Sequence, residues 1–217
     1  MSHRRLTPLQ AELLKAFFQR EGRFRLTGGG ALAGFLTGHR STEDLDLFTA
    51  EPVLDEGDRA LESAARALAA TVERLQTSEH FRRRLVRRGG EALVVDLVVD
   101  LAPHEATREL TVEGIRLDGP REILANKLCA LVSRSEPRDL VDVKVLESAG
   151  LDLEQALRDA HQKDAGVTPA QLGWVLSGWS IGDDARIPGG ETPAALRGYL
   201  EQLRGRLARM GWPLSRT

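Results

Sequence analysis

A chain of 217 residues, 41% hydrophobic and 29% charged, is long enough to bury a sizeable core as one large domain or two small ones. Its net charge of -2 gives no global pull toward nucleic acid or membrane, so any such partner must be met by a local patch. One cysteine excludes a disulfide framework and a cysteine-built zinc site. No apolar run approaches the about 20 residues of a membrane span, and MSHRRLTPLQ has no signal-peptide core; a cytoplasmic protein is expected.

The first helix is marked by Thr7-Pro8-Leu9-Gln10, which offers an N-cap, a proline at the first helical position and a capping-box glutamine. Leu9, Leu13, Leu14, Phe17 and Phe18 follow at helical spacing, and Gly22 closes the segment. Phe24 to Thr27 predicts a short strand running into Gly28-Gly29-Gly30. Ala31 to Leu36 predicts a helix, Leu45 to Thr49 a strand and Asp55 to Ala70 a helix. Two strands, Phe81 to Val86 and Leu93 to Leu101, are joined by the hairpin signal Arg88-Gly89-Gly90-Glu91. Leu110 to Leu117 predicts one more strand.

Beyond Pro120 the grammar turns helical, with starts at Pro120, Pro137, Asp152, Thr168-Pro169 and Thr192-Pro193. Ser180 to Gly190 reads as a loop, and Trp174, Trp179 and Trp212 as core anchors. The fold class is α/β (α+β): an α/β half over 1–118, then a helical half over 119–217.

Three glycines at a strand-to-helix junction form either a tight turn or a place where backbone N–H groups approach a phosphate. Asp44 and Asp46 are i and i+2 on a strand, so both carboxylates face one side while Leu45 and Leu47 face the core. Like charges held together repel, and a divalent ion such as Mg²⁺ turns that repulsion into binding; a solvated strand face is the plainer account. Gly28-x-Gly30-x-x-x-Gly34 with Asp46 also loosely matches a dinucleotide fingerprint. Against it, the later strands come as a hairpin rather than with crossover helices.

The run from Leu93 to Leu101 is apolar on both faces yet carries Asp96 at its centre. Asp100 shares its face but lies four residues on, about 13 Å away, so Asp96 is the candidate third ligand beside Asp44 and Asp46. The alternative pairs it with a neighbouring-strand arginine, for which Arg82, Arg84, Arg87 and Arg88 are available. Lys127 falls within the apolar stripe Ile123, Leu124, Leu128 and Leu131, where a lysine either snorkels out or lines a polar cavity. Asp139 and Asp142 share one helical face. On their own they read as a surface network with Arg138 and Lys144.

Taken together, the glycine turn followed by His39-Arg40-x-Thr42-x-Asp44-x-Asp46 resembles the opening motif of the AbiEii/AbiGii-type nucleotidyltransferases of the polymerase-β-like superfamily. Glu122 through Lys127 to Arg134-x-x-x-Arg138-Asp139-Leu-x-Asp142 is similar to that family's second signature, so the resemblance runs from about Leu26 to Leu146. It implies a nucleotidyltransferase-type mixed sheet with flanking helices and a helical C-terminal half that contributes Lys127 and Asp139 to the site. It also implies transfer of an NMP from a nucleoside triphosphate, with Mg²⁺ or Mn²⁺, in a family that includes toxins of toxin–antitoxin and phage-defence systems, some acting on tRNA ends.

By that resemblance Asp44 and Asp46 hold the metal; Asp96 joins them as the third carboxylate on the strand reading above. Gly28, Gly29, Gly30, Arg40 and Thr42 border the phosphates, Lys127 contacts the nucleotide, and Asp139 or Asp142 completes the site. Gly30 stands where the family commonly has a serine or threonine, and Asn126 where it often has an acid. A non-catalytic nucleotide- or RNA-binding regulator, or a transferase acting on a small aminoglycoside-like acceptor, are the alternatives. A tRNA acceptor would be met by the basic strand through Arg82, Arg84 and Arg88. An antitoxin is the expected protein partner.

Overall fold

The computed structural model describes residues 5–104, 109–134 and 136–210. Two compact units divide the chain: Met1–Leu101 with Ala106–Gly119, and Ala102–Glu105 with Pro120–Thr217.

The first unit opens on α1 (Pro8–Phe18), whose capping box forms as expected. The Thr7 hydroxyl accepts from the Gln10 N–H, and Gln10 Oε1 accepts from the Thr7 N–H at 2.8 Å. Then come β1 (Arg25–Thr27), α2 (Gly28–Gly34), β2 (Asp44–Thr49), α3 (Leu54–Ala67), β3 (Thr71–Thr77), β4 (Phe81–Arg88), β5 (Glu91–Val99), β6 (Leu110–Val112) and β7 (Ile115–Leu117). The seven strands make one mixed sheet in the order β3-β4-β5-β2-β1-β7-β6, parallel at β2–β5 and β1–β7 and antiparallel elsewhere. This is the expected α/β class.

Register divides the sheet into two faces. Leu26 pairs with Leu47, and Leu47 with Leu97, so these leucines lie on one side under α1 and α3. The next row along, Thr27–Asp46–Asp96–Arg83, crosses β1, β2, β5 and β4 on the opposite side.

Two strands depart from the sequence expectation. β3 was not expected, because Thr-Val-Glu-Arg-Leu-Gln-Thr lacks apolar alternation; it is an edge strand, exposed nearly throughout, with a bulge between Arg74 and Gln76. The single strand expected over Leu110–Leu117 is instead a small hairpin. Its turn residues Glu113 (φ 53°) and Gly114 (φ 81°) both take the left-handed conformation that a tight hairpin turn demands.

The second unit contains α4 (Pro120–Ser133), α5 (Pro137–Ser148), α6 (Leu153–Lys163), α7 (Pro169–Ser177) and α8 (Pro193–Arg209). Each begins at the cap or proline that marks it in the sequence. The side chains of Asp152, Thr168 and Thr192 accept backbone N–H bonds at the starts of α6, α7 and α8. α4 packs on α5, α6 and α7, and α8 on α7 and α5. Trp174 is 71% exposed and therefore not the core anchor expected of it, while Trp212 lies outside the described residues.

Candidate active site

The loop before β2 is fixed from several directions. Gln10 of α1, itself buried, donates from Nε2 to the Thr42 carbonyl at 2.9 Å, and the Thr42 hydroxyl donates to Asp44 Oδ1 at 2.6 Å. The capping glutamine of the first helix thus also holds the residue that orients the first aspartate. Arg40 is buried and donates to the Ser41 carbonyl at 3.1 Å.

The glycine turn closes on these same groups. Gly28 has φ +58°, and a Cβ there would lie 2.6 Å from Asp46 Oδ2. Only a residue without a side chain lets the second aspartate lie over the turn in that backbone conformation. A Cβ at Gly29 would stand 2.7 Å from Thr42 Oγ1 and 3.2 Å from Arg40 Nη2. A Cβ at Gly30 points elsewhere, to Leu26 Cδ1 at 2.9 Å and Leu45 Cδ2 at 3.0 Å. A serine or threonine at position 30 would enter that leucine packing, so glycine here answers to the core and is not simply a lost hydroxyl.

Asp44 and Asp46 share one face of β2, as alternation predicts, and Asp46 stands in register with Asp96 on the parallel neighbour β5. Neighbouring strands are about 4.8 Å apart, so both carboxylates leave the sheet side by side. Asp96 is 5% exposed and is not alone: Arg83 grips it with both arms, Nε to Oδ1 at 2.9 Å and Nη2 to Oδ2 at 2.7 Å. The arginine partner foreseen as the alternative therefore exists. It is Arg83, however, and not Arg82, Arg84, Arg87 or Arg88. Those hydrogen bonds to Asp96 raise the Arg83 guanidinium above its ordinary pKa against the opposing effect of burial, with the charges of Asp96, Asp46 and Asp44 adding to the rise. Asp100, just past β5, lies 3.5 Å from Arg25, which also meets Asp118 at 2.7 Å.

Two members of this row escaped sequence reasoning. Arg83 was legible: counting back residue by residue from the Gly89-Gly90 turn reaches it opposite Asp96. Thr27, paired with Asp46, is 3% exposed, and its Oγ1 makes no hydrogen bond to any described residue. An orphaned buried hydroxyl beside hard carboxylate oxygens, under a turn that only glycine permits, fits a divalent ion carrying phosphate.

The basic strand β4 is largely spoken for. Arg84 is 1% exposed and clasps Asp58 of α3, with Nε to Oδ1 at 2.7 Å. Arg82 reaches Asp55 at 3.1 Å and Arg88 reaches Glu12 at 2.5 Å. All three lie off the aspartate row's face, and Arg84 in particular is structural.

In the helical unit, Lys127 does enter the apolar stripe of α4, and it is buried there. Its Nζ lies 2.8 Å from Asp139 Oδ1 and 2.8 Å from Asp142 Oδ2, both carboxylates being fully buried on α5. Arg134 clamps Asp139 from the other side at 2.8 and 2.9 Å. Burial pushes the Asp139 carboxyl up, but the Arg134 hydrogen bonds and the Lys127 charge outweigh it and hold the group below its ordinary value. The surface network expected from the bare sequence is thereby corrected: Arg138 pairs with Glu136, Lys144 with Glu191, and the two aspartates turn inward onto Lys127. A carboxylate this deep needs compensation, which Lys127 and Arg134 provide. Cys129 packs beside α6, with its Sγ 3.7 Å from the Ala160 carbonyl.

The model of the family described as "Nucleotidyl transferase AbiEii toxin, Type IV TA system" matches residues 12–191. The chain belongs to the AbiEii family. That match runs through both units and makes the protein a nucleotidyltransferase of a toxin family. Solved structures share the fold of this AbiEii chain. The Helicobacter pylori protein JHP933 is 21% identical with a TM-score of 0.55, over 94% of this chain and 95% of that one. MenT4, a nucleotidyltransferase toxin from Mycobacterium tuberculosis, is 16% identical with a TM-score of 0.56, over 94% of this chain and 82% of its own. No curated protein sequence matches the chain. Among the described residues, no helix is long and apolar enough to cross a membrane.

Proposed function

We propose that this AbiEii protein moves a nucleotide from a nucleoside triphosphate to a hydroxyl acceptor, with the Asp44–Asp46 strand as the metal-holding element. The observation that carries the reading is the in-register row of Asp46 and Asp96 with Asp44 on the same face, under a glycine turn that a side chain would block. Asp44 and Asp46 are the residues that would hold Mg²⁺ or Mn²⁺. Such an ion, when bound, would neutralise phosphate charge and polarise the α-phosphate.

The protein's own groups do the rest. The Thr42 hydroxyl keeps one Asp44 oxygen oriented, and the Gly28–Gly30 turn offers backbone N–H groups to the triphosphate. The acceptor oxygen attacks the α-phosphorus, the bond to pyrophosphate breaks, and the acceptor's proton passes to the Asp96 carboxylate. Family resemblance assigns the Lys127 ammonium to the nucleotide and has Asp139 complete the site. In this fold Asp139 and Asp142 together fix the position of that ammonium.

The acceptor class we propose to test first is RNA, with recognition outside Arg84, which Asp58 already occupies. A role as a toxin countered by an antitoxin, in the cytoplasm where nucleoside triphosphates are available, follows from the same reading. Calorimetry with the four nucleoside triphosphates and Mg²⁺, run beside a labelled-nucleotide transfer assay, separates an enzyme from a regulator. Binding accompanied by transfer is the expected result. Binding without turnover across a broad acceptor panel would overturn the proposal.

A further inference from the structure

Adjacent residues of β4 make the same kind of bond with opposite consequences. Arg84 and Asp58 form a fork-to-carboxylate pair that is sealed, the arginine side chain being 1% exposed. Arg83 and Asp96 form another on the other face, but there the arginine side chain is 45% exposed and the aspartate 7%. The first pair is a tie between sheet and helix. The second is closed at the carboxylate and open at the guanidinium.

That asymmetry has a thermodynamic reading. A buried carboxylate cannot be left without a counter-charge, whereas a half-exposed guanidinium is readily rehydrated. Arg83 can leave Asp96 only if another cation arrives, and the residue in register beside Asp96 is Asp46, on the strand proposed to hold one. The guanidinium also lies over the Phe81 ring, 5.5 Å from its centroid, so on leaving it has an aromatic surface to slide along without abandoning the row.

We propose that Arg83 is a built-in counter-cation that holds Asp96 until the metal-bound nucleotide enters, then transfers its fork from the carboxylate to the phosphates. The inference rests on the nucleotidyltransferase reading above and adds to it a phosphate-contacting residue and an order of events. Once Arg83 has moved, Asp96 is free to accept the acceptor's proton and would stand beside Asp44 and Asp46 as a third carboxylate for a divalent ion, so it becomes competent when substrate is present. Arginine suits the task because one planar fork matches the two oxygens of a carboxylate and of a phosphate alike.

Two opposite effects test it. In Arg83→Gln, Mn²⁺ without nucleotide should bind roughly three- to tenfold more tightly by calorimetry, because a competing cation has gone. Binding of nucleoside triphosphate with Mg²⁺ should weaken by about tenfold, because a phosphate contact has gone. Arg87→Gln removes the same charge from the same strand at an exposed position and should change neither beyond about twofold. Arg83→Lys keeps the charge but not the fork and should fall between wild type and the glutamine variant; it carries the test if Arg83→Gln does not fold. Unaltered Mn²⁺ affinity in the variant overturns the exchange, as does tighter Mn²⁺ binding with nucleotide affinity unchanged. If wild type binds no nucleoside triphosphate with Mg²⁺ or Mn²⁺ present, the transferase reading fails, a result distinct from either.

Discussion

The aspartate row of the sheet and the Lys127 cluster of the helical unit are both carboxylate sites, and they are built on opposite principles. On the sheet, Asp44 and Asp46 sit on a partly exposed strand face, and the nearby guanidinium of Arg83 grips Asp96 with its own side half in solvent. In the helices, Asp139 and Asp142 are fully buried and are met at hydrogen-bond distance by Lys127, with Arg134 added on Asp139. A row that is not sealed can admit a ligand; a compensated, sealed cluster fixes geometry. Chemistry is expected on the open row, while the sealed cluster holds an ammonium in place.

Substitutions should therefore split the two regions cleanly. Asp44→Asn or Asp46→Asn should lower nucleotide transfer by about three orders of magnitude or more, with the melting temperature unchanged or slightly raised as like charges are relieved. Lys127→Met should do the reverse in emphasis, destabilising the fold by about 3–5 kcal/mol because buried Asp139 and Asp142 lose their shared counter-charge. Denaturant unfolding of both variants checks the pair. Equal stability loss in both would erase the distinction.

The cluster also predicts an acid response. Asp139 has its folded-state pKa held below the ordinary 3.8, so its contribution to stability is present above that value. It is lost as pH falls below about 4 toward the depressed folded-state pKa. Unfolding followed from pH 6 to pH 2 should show a steeper loss for wild type than for Asp139→Asn. Parallel curves would mean that the carboxylate is not held by its partners.

The smallest effect concerns the glycine turn. Gly30→Ser should cost about 1–2 kcal/mol, since its side chain meets the Leu26 and Leu45 tips, and should not raise activity. An accelerated enzyme would show that position 30 faces the phosphates after all.

Much of this was legible from local signals. Five helix starts in the second unit carry a proline or a capping side chain, and all five begin where those residues say, because caps act within one turn of chain. The shared face of Asp44 and Asp46 follows from strand alternation alone. What escaped required a partner strand or a tertiary neighbour. β3 has no apolar alternation and is held as an edge by β4, and Leu110–Leu117 hid a turn because Glu113 is not a residue that advertises a positive φ. The inward turn of Asp139 and Asp142 depends on Lys127 of α4, which helical spacing within α5 cannot reveal. Arg83 is the instructive miss. The hairpin turn was recognised, yet its register was not counted through to Asp96.

The most direct test of the central claim is to incubate the protein with each α-labelled nucleoside triphosphate, Mg²⁺ and total cellular RNA, comparing wild type with Asp46→Asn. Label should pass to an acceptor with wild type and stay on the nucleotide with the variant. Equal labelling by both proteins would contradict it.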